Sequence, residues 1–447
     1  MPNTLLDSVT ADLLEGDRQL LKKTQFPIVT LSASFRDKVE SQYDKEDGRN
    51  HPDVVFSRAH YSMALAVAIA AWGTKKARPE RAWLVDPTNY VQQADWKKAA
   101  SMELVGRILA RSPLLNWVKQ NVVDRYARSR LPITPAIQGP LLYLMEEVKQ
   151  PIISLHIETG NMLAQTGKEV VQVVTDPHVR EDYLNQAQLP NIRFCVFDEA
   201  TKKEFLAKAD DLDKTVDSKR VIVTGSPIDP RVVSARSPKK ATSWQRRGLR
   251  ILLTTGGLGT NKEELAAALR SLLPLLRRRK HLPVQVVYYA GTNLDHKKMV
   301  EKIAAEAEIV LGKPNDESSR LRLLYADDLV DANALLLTYG FPWADVVVAK
   351  PSGDMAYDAI AAGCALLLLQ PWGEWEKVIA KNFIKQKVAE WAQVEEFALQ
   401  LEQLAGVGSK SGARSAPWLY TAIEKSLAIP QKHWSGAKKI LEVANSV

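Results

Sequence analysis

The chain has 447 residues, too many for one ordinary hydrophobic core, so two domains are expected. Hydrophobic residues make up 46% and charged residues 25%, a globular balance that excludes extended disorder. The net charge of +8, from 60 basic against 52 acidic side chains, suits an anionic partner such as nucleotide phosphate or an acidic membrane surface, and equally a solvated basic surface. With no zinc-ligand spacing and no aromatics set between basic residues, neither a metal site nor a nucleic-acid partner is expected.

The first residues carry acids early and no apolar block of signal-peptide length, and no run approaches the ~20 apolar residues of a membrane span. Cys195 and Cys364 stand alone in apolar runs and offer neither a disulfide framework nor a metal spacing. The expectation is a cytoplasmic protein, soluble or peripheral on the inner face of a membrane.

In chain order, Phe26–Ser32 is strand-like within fifty residues that otherwise resist assignment. Strands are then expected at Val54–Phe56, Trp83–Val85, Ile152–Leu155, Val170–Val174, Ile192–Phe197 and Val221–Val223. Between the second and third lies a basic amphipathic helix, Ser112–Arg130. Ser112 is its N-cap, Pro113 its first residue, and Leu115, Val118, Val122 and Tyr126 form a stripe beside Trp117. Such a helix packs on a core or lies on an anionic membrane. Ser234–Gly248, rich in Ser, Arg and Lys, reads as a linker. A second strand set follows at Ile251–Thr254, Val284–Tyr289, Val346–Ala349 and Ala365–Leu369. Most strands are apolar throughout, which fits parallel sheets covered on both faces and an α/β, doubly wound architecture. The expected division is 1–235, 236–248 as linker, 249–430, and a C-terminal helix in 431–447 that packs back on the first domain.

Two segments of the second half carry chemistry. After Ile251–Thr254 come Gly256, Gly257 and Gly259, and helix-like sequence resumes from Asn261. Glycines at a strand's carboxyl end let the backbone turn tightly and approach a ligand, and amides at a helix start favour an anion, though many such turns are only turns. The second segment runs from Ala344 to Glu376. A strand ends at Lys350, Pro351-Ser352-Gly353 turns, and a helix begins near Asp354 and stops at Gly363. Asp358 lies one helical turn beyond Asp354, on the same face.

These segments resemble the donor site of glycosyltransferase family 28, which includes monogalactosyldiacylglycerol synthases and the N-acetylglucosaminyltransferase of peptidoglycan-precursor synthesis. That family has a glycine loop, then K-P-G-G-x-T/S-x-x-E-A-x-x-x-G, then a P-G-Q-E-E-like loop. This chain has Gly256-Gly257-Leu258-Gly259, then Lys350-Pro351-Ser352-Gly353-Asp354 with Asp358-Ala359 and Gly363, then Pro371-Trp372-Gly373-Glu374-Trp375-Glu376. The resemblance implies a GT-B fold, two Rossmann-like domains facing across a cleft. It places Gly353 and Asp354 at a diphosphate, Asp358 at the ribose, and Glu374 and Glu376 at the donor sugar. Ser352 departs from the family glycine, Asp354 from its hydroxyl residue and Asp358 from its Glu; an anionic Asp354 beside a diphosphate is awkward unless it caps the helix, where Asp is favoured.

The first half is similar more weakly. His60 matches a family His, and segments around His156, Asp176 and Val221–Val232 match in order. Sugar transfer needs a base for the acceptor hydroxyl, and His60, Asp176, His156 and His178 are candidates at expected strand ends, His60 first and Asp176 second. The implied activity is inverting transfer from a UDP-sugar to a lipid or lipid-linked acceptor, with the UDP-sugar as substrate and no cofactor. The alternatives are a nucleotide-sugar epimerase or hydrolase on the same fold, or an inactive nucleotide-binding scaffold.

Overall fold

The computed structural model describes residues 8–32, 58–91, 133–257, 259–277, 282–407 and 416–447. They form two compact units, 1–229 with 435–447, and 230–434. The expected strand at Val54–Phe56 and the basic helix Ser112–Arg130 lie outside the described residues.

In the first unit six parallel strands form one sheet. They are β1 (Phe26–Val29), β2 (Ala82–Val85), β3 (Ile152–Ser154), β4 (Val170–Val173), β5 (Ile192–Val196) and β6 (Val221–Val223), in the order β2-β1-β3-β4-β5-β6. The strand-like stretch from Phe26 is therefore an interior strand, paired with β2 on one side and β3 on the other. β1, β3 and β4 are buried throughout, which explains their largely apolar sequences; the polar Gln172 of β4 donates to Ser154 O and Val173 O. The C-terminal helix Gly436–Asn445 belongs to this unit and packs on the helix Arg58–Trp72. Its Asn445 side chain accepts a hydrogen bond from Gln25 at 3.3 Å. Gly436 lies so close to the carbonyls of Gly225 and Ser226 that a Cβ would collide with them.

The second unit holds seven parallel strands: β7 (Leu249–Thr254), β8 (Val284–Gly291), β9 (Leu311–Gly312), β10 (Leu321–Tyr325), β11 (Val346–Ala349), β12 (Ala365–Leu368) and β13 (Ala389–Trp391). Their order is β13-β12-β11-β7-β8-β10-β9. The sequence pattern misses three: β9 has two residues, β13 is a short polar edge strand, and β10 is interrupted by Arg322. One face of the sheet, with Ile251, Leu253, Val286, Val346, Val348 and Leu367, packs against Leu265, Leu269 and Leu272 of the helix Lys262–Arg277 and against the helix Trp418–Ala428.

Residues 236–248 do not stand between the units; they are folded onto the second. Arg236 donates through Nη2 to the carbonyls of Ser426, Leu427 and Ile429 at 2.7–2.9 Å, and Lys239 to those of Phe341 and Ala344 at 2.8 Å. Arg247 grips Asp345 with two bonds of 2.8 Å. The linker composition misleads because these long cations satisfy helix and strand ends rather than solvent.

Candidate functional site

In each sheet the chain starts at an interior strand, winds to one side and returns to the other. The reversal falls between β1 and β3 in the first unit and between β7 and β11 in the second. Loops leaving the carboxyl ends of strands at such a point diverge and leave room for a ligand.

At the second unit's reversal, β7 runs into the glycine loop. Gly259 has φ +62° and Asn261 φ +61°, left-handed conformations that free the chain to turn into the helix Lys262–Arg277. Gly256 lies against Lys350, the residue that follows β11; a Cβ there would sit 3.2 Å from Cε of the lysine. Lys350 Nζ bonds Glu376 Oε1 at 2.7 Å, and the Glu376 side chain is 1% exposed. The other Glu376 oxygen accepts from Trp372 N at 2.5 Å. Both oxygens of Glu376 are thus engaged by the protein, and this carboxylate fixes Lys350 and the loop after β12. The side chain of Glu374 lies outside the described residues.

The third tie closes the glycine loop onto the loop after β12. Asn261 Nδ2 donates to Gln370 O at 3.2 Å and to Glu264 Oε2 at 3.0 Å, and Glu264 Oε2 accepts from Gln370 N at 3.2 Å. Gly256, Gly257 and Gly259 are therefore drawn together with Lys350, Ser352, Gly353, Asp354 and the start of the helix Met355–Ala361. Asp354 does not cap that helix with its side chain. Ser352 does the work: its Oγ accepts from Met355 N at 3.2 Å and donates to Asp354 Oδ1 at 2.6 Å. The serine that replaces a family glycine is thus the capping residue, and Asp354, at the positive end of the helix, is its acceptor. Asp358 is buried on the next turn, its amide donating to Asp354 O at 2.8 Å. Gly363, at φ +76°, terminates the helix.

Sequence reasoning missed His296, buried in the first turn of the helix Leu294–Glu306. Its Nε2 faces Gly259 O at 3.1 Å, and its Nδ1 lies 2.7 Å from Tyr288 Oη. A carbonyl only accepts, so Nε2 carries the proton and Nδ1 accepts from the phenol. Burial pushes the Tyr288 phenol well above its ordinary range, which keeps that donor protonated. His296 thereby holds the glycine loop from below. The available signal was a histidine at a helix start directly after an apolar strand.

In the first unit, His60 and His156 come together at the reversal, their rings edge to face with centroids 5.0 Å apart. His60 is in the first turn of the helix Arg58–Trp72. His156 follows β3 and caps the next helix, its Nδ1 accepting from Glu158 N at 3.2 Å. Beside them, buried Asp86 ties β2 to the chain leaving β1: Oδ2 accepts from Ser32 N and Oγ at 2.8 Å, and Oδ1 from Thr88 N and Oγ1 at 3.0 and 2.6 Å. Asp176 follows β4, half-buried, just after Thr175, whose amide is held by Tyr183 Oη at 3.1 Å. His178 turns to a different task, pairing with Glu204 at 2.7 Å. Burial lowers its pKa, partly opposed by Glu204.

No protein-family model matches the sequence, and no curated protein resembles it significantly in sequence. Solved structures do resemble it. A putative UDP-N-acetylglucosamine 2-epimerase from Listeria monocytogenes is 10% identical with a TM-score of 0.53, over 95% of this chain and 96% of that one. A UDP-GlcNAc 2-epimerase from Neisseria meningitidis, solved with UDP-GlcNAc, is 12% identical with a TM-score of 0.52, over 94% and 99%. Trehalose-6-phosphate synthase OtsA is 12% identical with a TM-score of 0.50, over 95% and 99%. At these identities the likeness is one of fold. The chain has the two-domain α/β fold of the GT-B type, which these nucleotide-sugar enzymes share.

Proposed function

We propose that the second unit binds the diphosphate of a UDP-sugar and that the protein transfers the sugar, with inversion, to a lipid or lipid-linked acceptor. The observation that carries this reading is the meeting of the glycine loop with Lys350 at the β7/β11 reversal. Amides of Gly256, Gly257 and Gly259 and the Lys350 ammonium supply positive potential where the leaving diphosphate gains charge. Asp358 accepts the ribose hydroxyls. A neutral His60 removes the proton of the acceptor hydroxyl as its oxygen attacks the anomeric carbon, and the bonding pair departs with UDP. His156, whose Nδ1 is committed to its helix cap, positions His60 by ring contact; Asp176 is the second candidate for that support. The lipid acceptor rests on the family resemblance and on the helix expected from the sequence at Ser112–Arg130, whose basic residues would meet an anionic surface. No helix among the described residues is long and apolar enough to cross a membrane.

A second reading, epimerisation of a UDP-sugar, is supported by the two epimerase structures that share the fold. Calorimetry against nucleoside diphosphates, followed by incubation of UDP-sugars with and without lipid acceptors, separates the two. Turnover that requires an acceptor supports transfer. Isomerised sugar without acceptor supports epimerisation, and failure to bind any nucleoside diphosphate overturns both.

A further inference from the structure

The opposite edge of the second sheet, where its parallel strands begin, carries an unrelated arrangement. Arg322, the second residue of β10, is 1% exposed. Its Nη1 donates to Pro314 O at 2.9 Å, and its guanidinium carbon lies 4.5 Å from the ring centroid of Trp343. Its Nε and Nη2 are buried and have no hydrogen-bond partner among the described residues. Those two nitrogens form one edge of the guanidinium, the edge whose parallel N–H bonds match a carboxylate or phosphate.

Arg250, near the start of β7, approaches the same ring at 5.3 Å. Its Nε is likewise buried without a partner among the described residues. Its guanidinium meets Glu317 at 3.4 Å from Nη2, on a side chain 70% exposed, while its backbone amide donates to Asp345 Oδ2 at 3.1 Å. The neighbouring arginine shows what a completed pair looks like in this fold: Arg247 has its fork filled by Asp345 at 2.8 Å on both nitrogens. Asp316, the remaining nearby acid, accepts from Ser318 and Ser319 and is held down to about 2 by those bonds. Burial lowers the pKa of both Arg250 and Arg322, as expected for cations whose charge is under-compensated. Charge buried without a matched partner is costly, and it persists where something else supplies the counter-charge.

We propose that Arg250 and Arg322, stacked on Trp343, form a binding site for one oxyanion group, phosphoryl or carboxylate, separate from the glycine-loop site, with Glu317 as the carboxylate that the ligand displaces. The long Glu317 contact and its exposure make displacement easy, and the loop that carries it, residues 313–319, covers Arg322 through Pro314 O.

The test titrates the full-length protein with inorganic phosphate and, separately, with malonate, at constant ionic strength, read by calorimetry and melting temperature. Saturable stabilisation by at least one anion is expected; phosphate alone assigns a phosphoryl ligand and malonate alone a carboxylate. Arg250→Met should weaken that binding tenfold or more, and Glu317→Gln should strengthen it severalfold. Arg322→Met keeps the side-chain volume and removes a buried charge, so it should fold and lose the response. No response to either anion overturns the proposal. So does a response unchanged in Arg250→Met and Glu317→Gln, which would place the anion elsewhere, the glycine loop included.

Discussion

The two units are built alike and equipped differently. Both sheets reverse their winding beside the first strand of the unit, and both gather functional side chains there. In the second unit the reversal is lined by backbone amides, one lysine and a buried carboxylate that fixes it. In the first unit it is lined by two imidazoles in contact and by Asp86, whose four hydrogen bonds brace the strand ends. Doubly wound topology supplies a location, and the residues at the strand ends decide its use. On the proposed reading, one unit holds an anion and the other moves a proton.

The largest expected effect falls on the proton-moving side. His60→Ala should lower turnover by about 10²–10⁴-fold, the usual contribution of a general base, while UDP affinity stays near its original value. Parallel kinetics and calorimetry check this. A mutant that turns over normally breaks the proposed division and passes the role to His156 or Asp176.

On the anion-holding side, Lys350→Met leaves Glu376 buried with an unpaired charge. Removing one partner of a buried pair costs about 3–5 kcal/mol, so the melting temperature should drop sharply. Pairing it with Glu376→Leu should restore most of the stability while UDP binding stays impaired. Recovery of binding in the double variant would show that Lys350 braces the loop without meeting phosphate.

Asp358→Ala tests the same unit more gently. Loss of an acceptor for buried hydroxyls costs about 1–3 kcal/mol, and UDP affinity should fall accordingly. Unchanged affinity in calorimetry removes Asp358 from the ribose site.

The smallest effect concerns His178, which the structure draws away from the other histidines. Its folded-state pKa lies below the ordinary 6.5, chiefly through burial. The unfolded chain therefore takes up this proton more readily, and stability falls as pH drops from 6.5 through the folded value, with no contribution above 6.5. The ring is 34% exposed, so water screens the effect and it should be slight. His178→Asn should flatten stability below pH 6.5 and leave turnover unchanged. Altered turnover would return His178 to the site.

Strand positions were legible because a buried parallel strand must be apolar on both faces, and the runs at Val170, Ile192, Ile251 and Val346 declare that locally. The glycine loop and the Lys350–Gly353 turn were legible because tight turns at strand ends need particular residues. β10 was not, since Arg322 breaks its pattern and is tolerated only through Pro314 O and the Trp343 ring, neither adjacent in sequence. The cationic stretch 236–248 misled for the same reason, its partners lying about 100 to 190 residues away.

By itself the sequence determined the doubly wound class, the positions of most strands and the two loops of the second unit, because each follows from periodicity or from the conformational needs of one short segment. Only the tertiary structure decided which loops meet. It turned Glu376 inward to Lys350, gave the capping role to Ser352 rather than Asp354, set His60 against His156, sent His178 to Glu204 and placed His296 beneath Gly259. Those outcomes depend on strand order and on hydrogen bonds between segments far apart in the chain. Hydrogen-bond geometry at a few ångströms is fixed by packing, and no local pattern of residues encodes it.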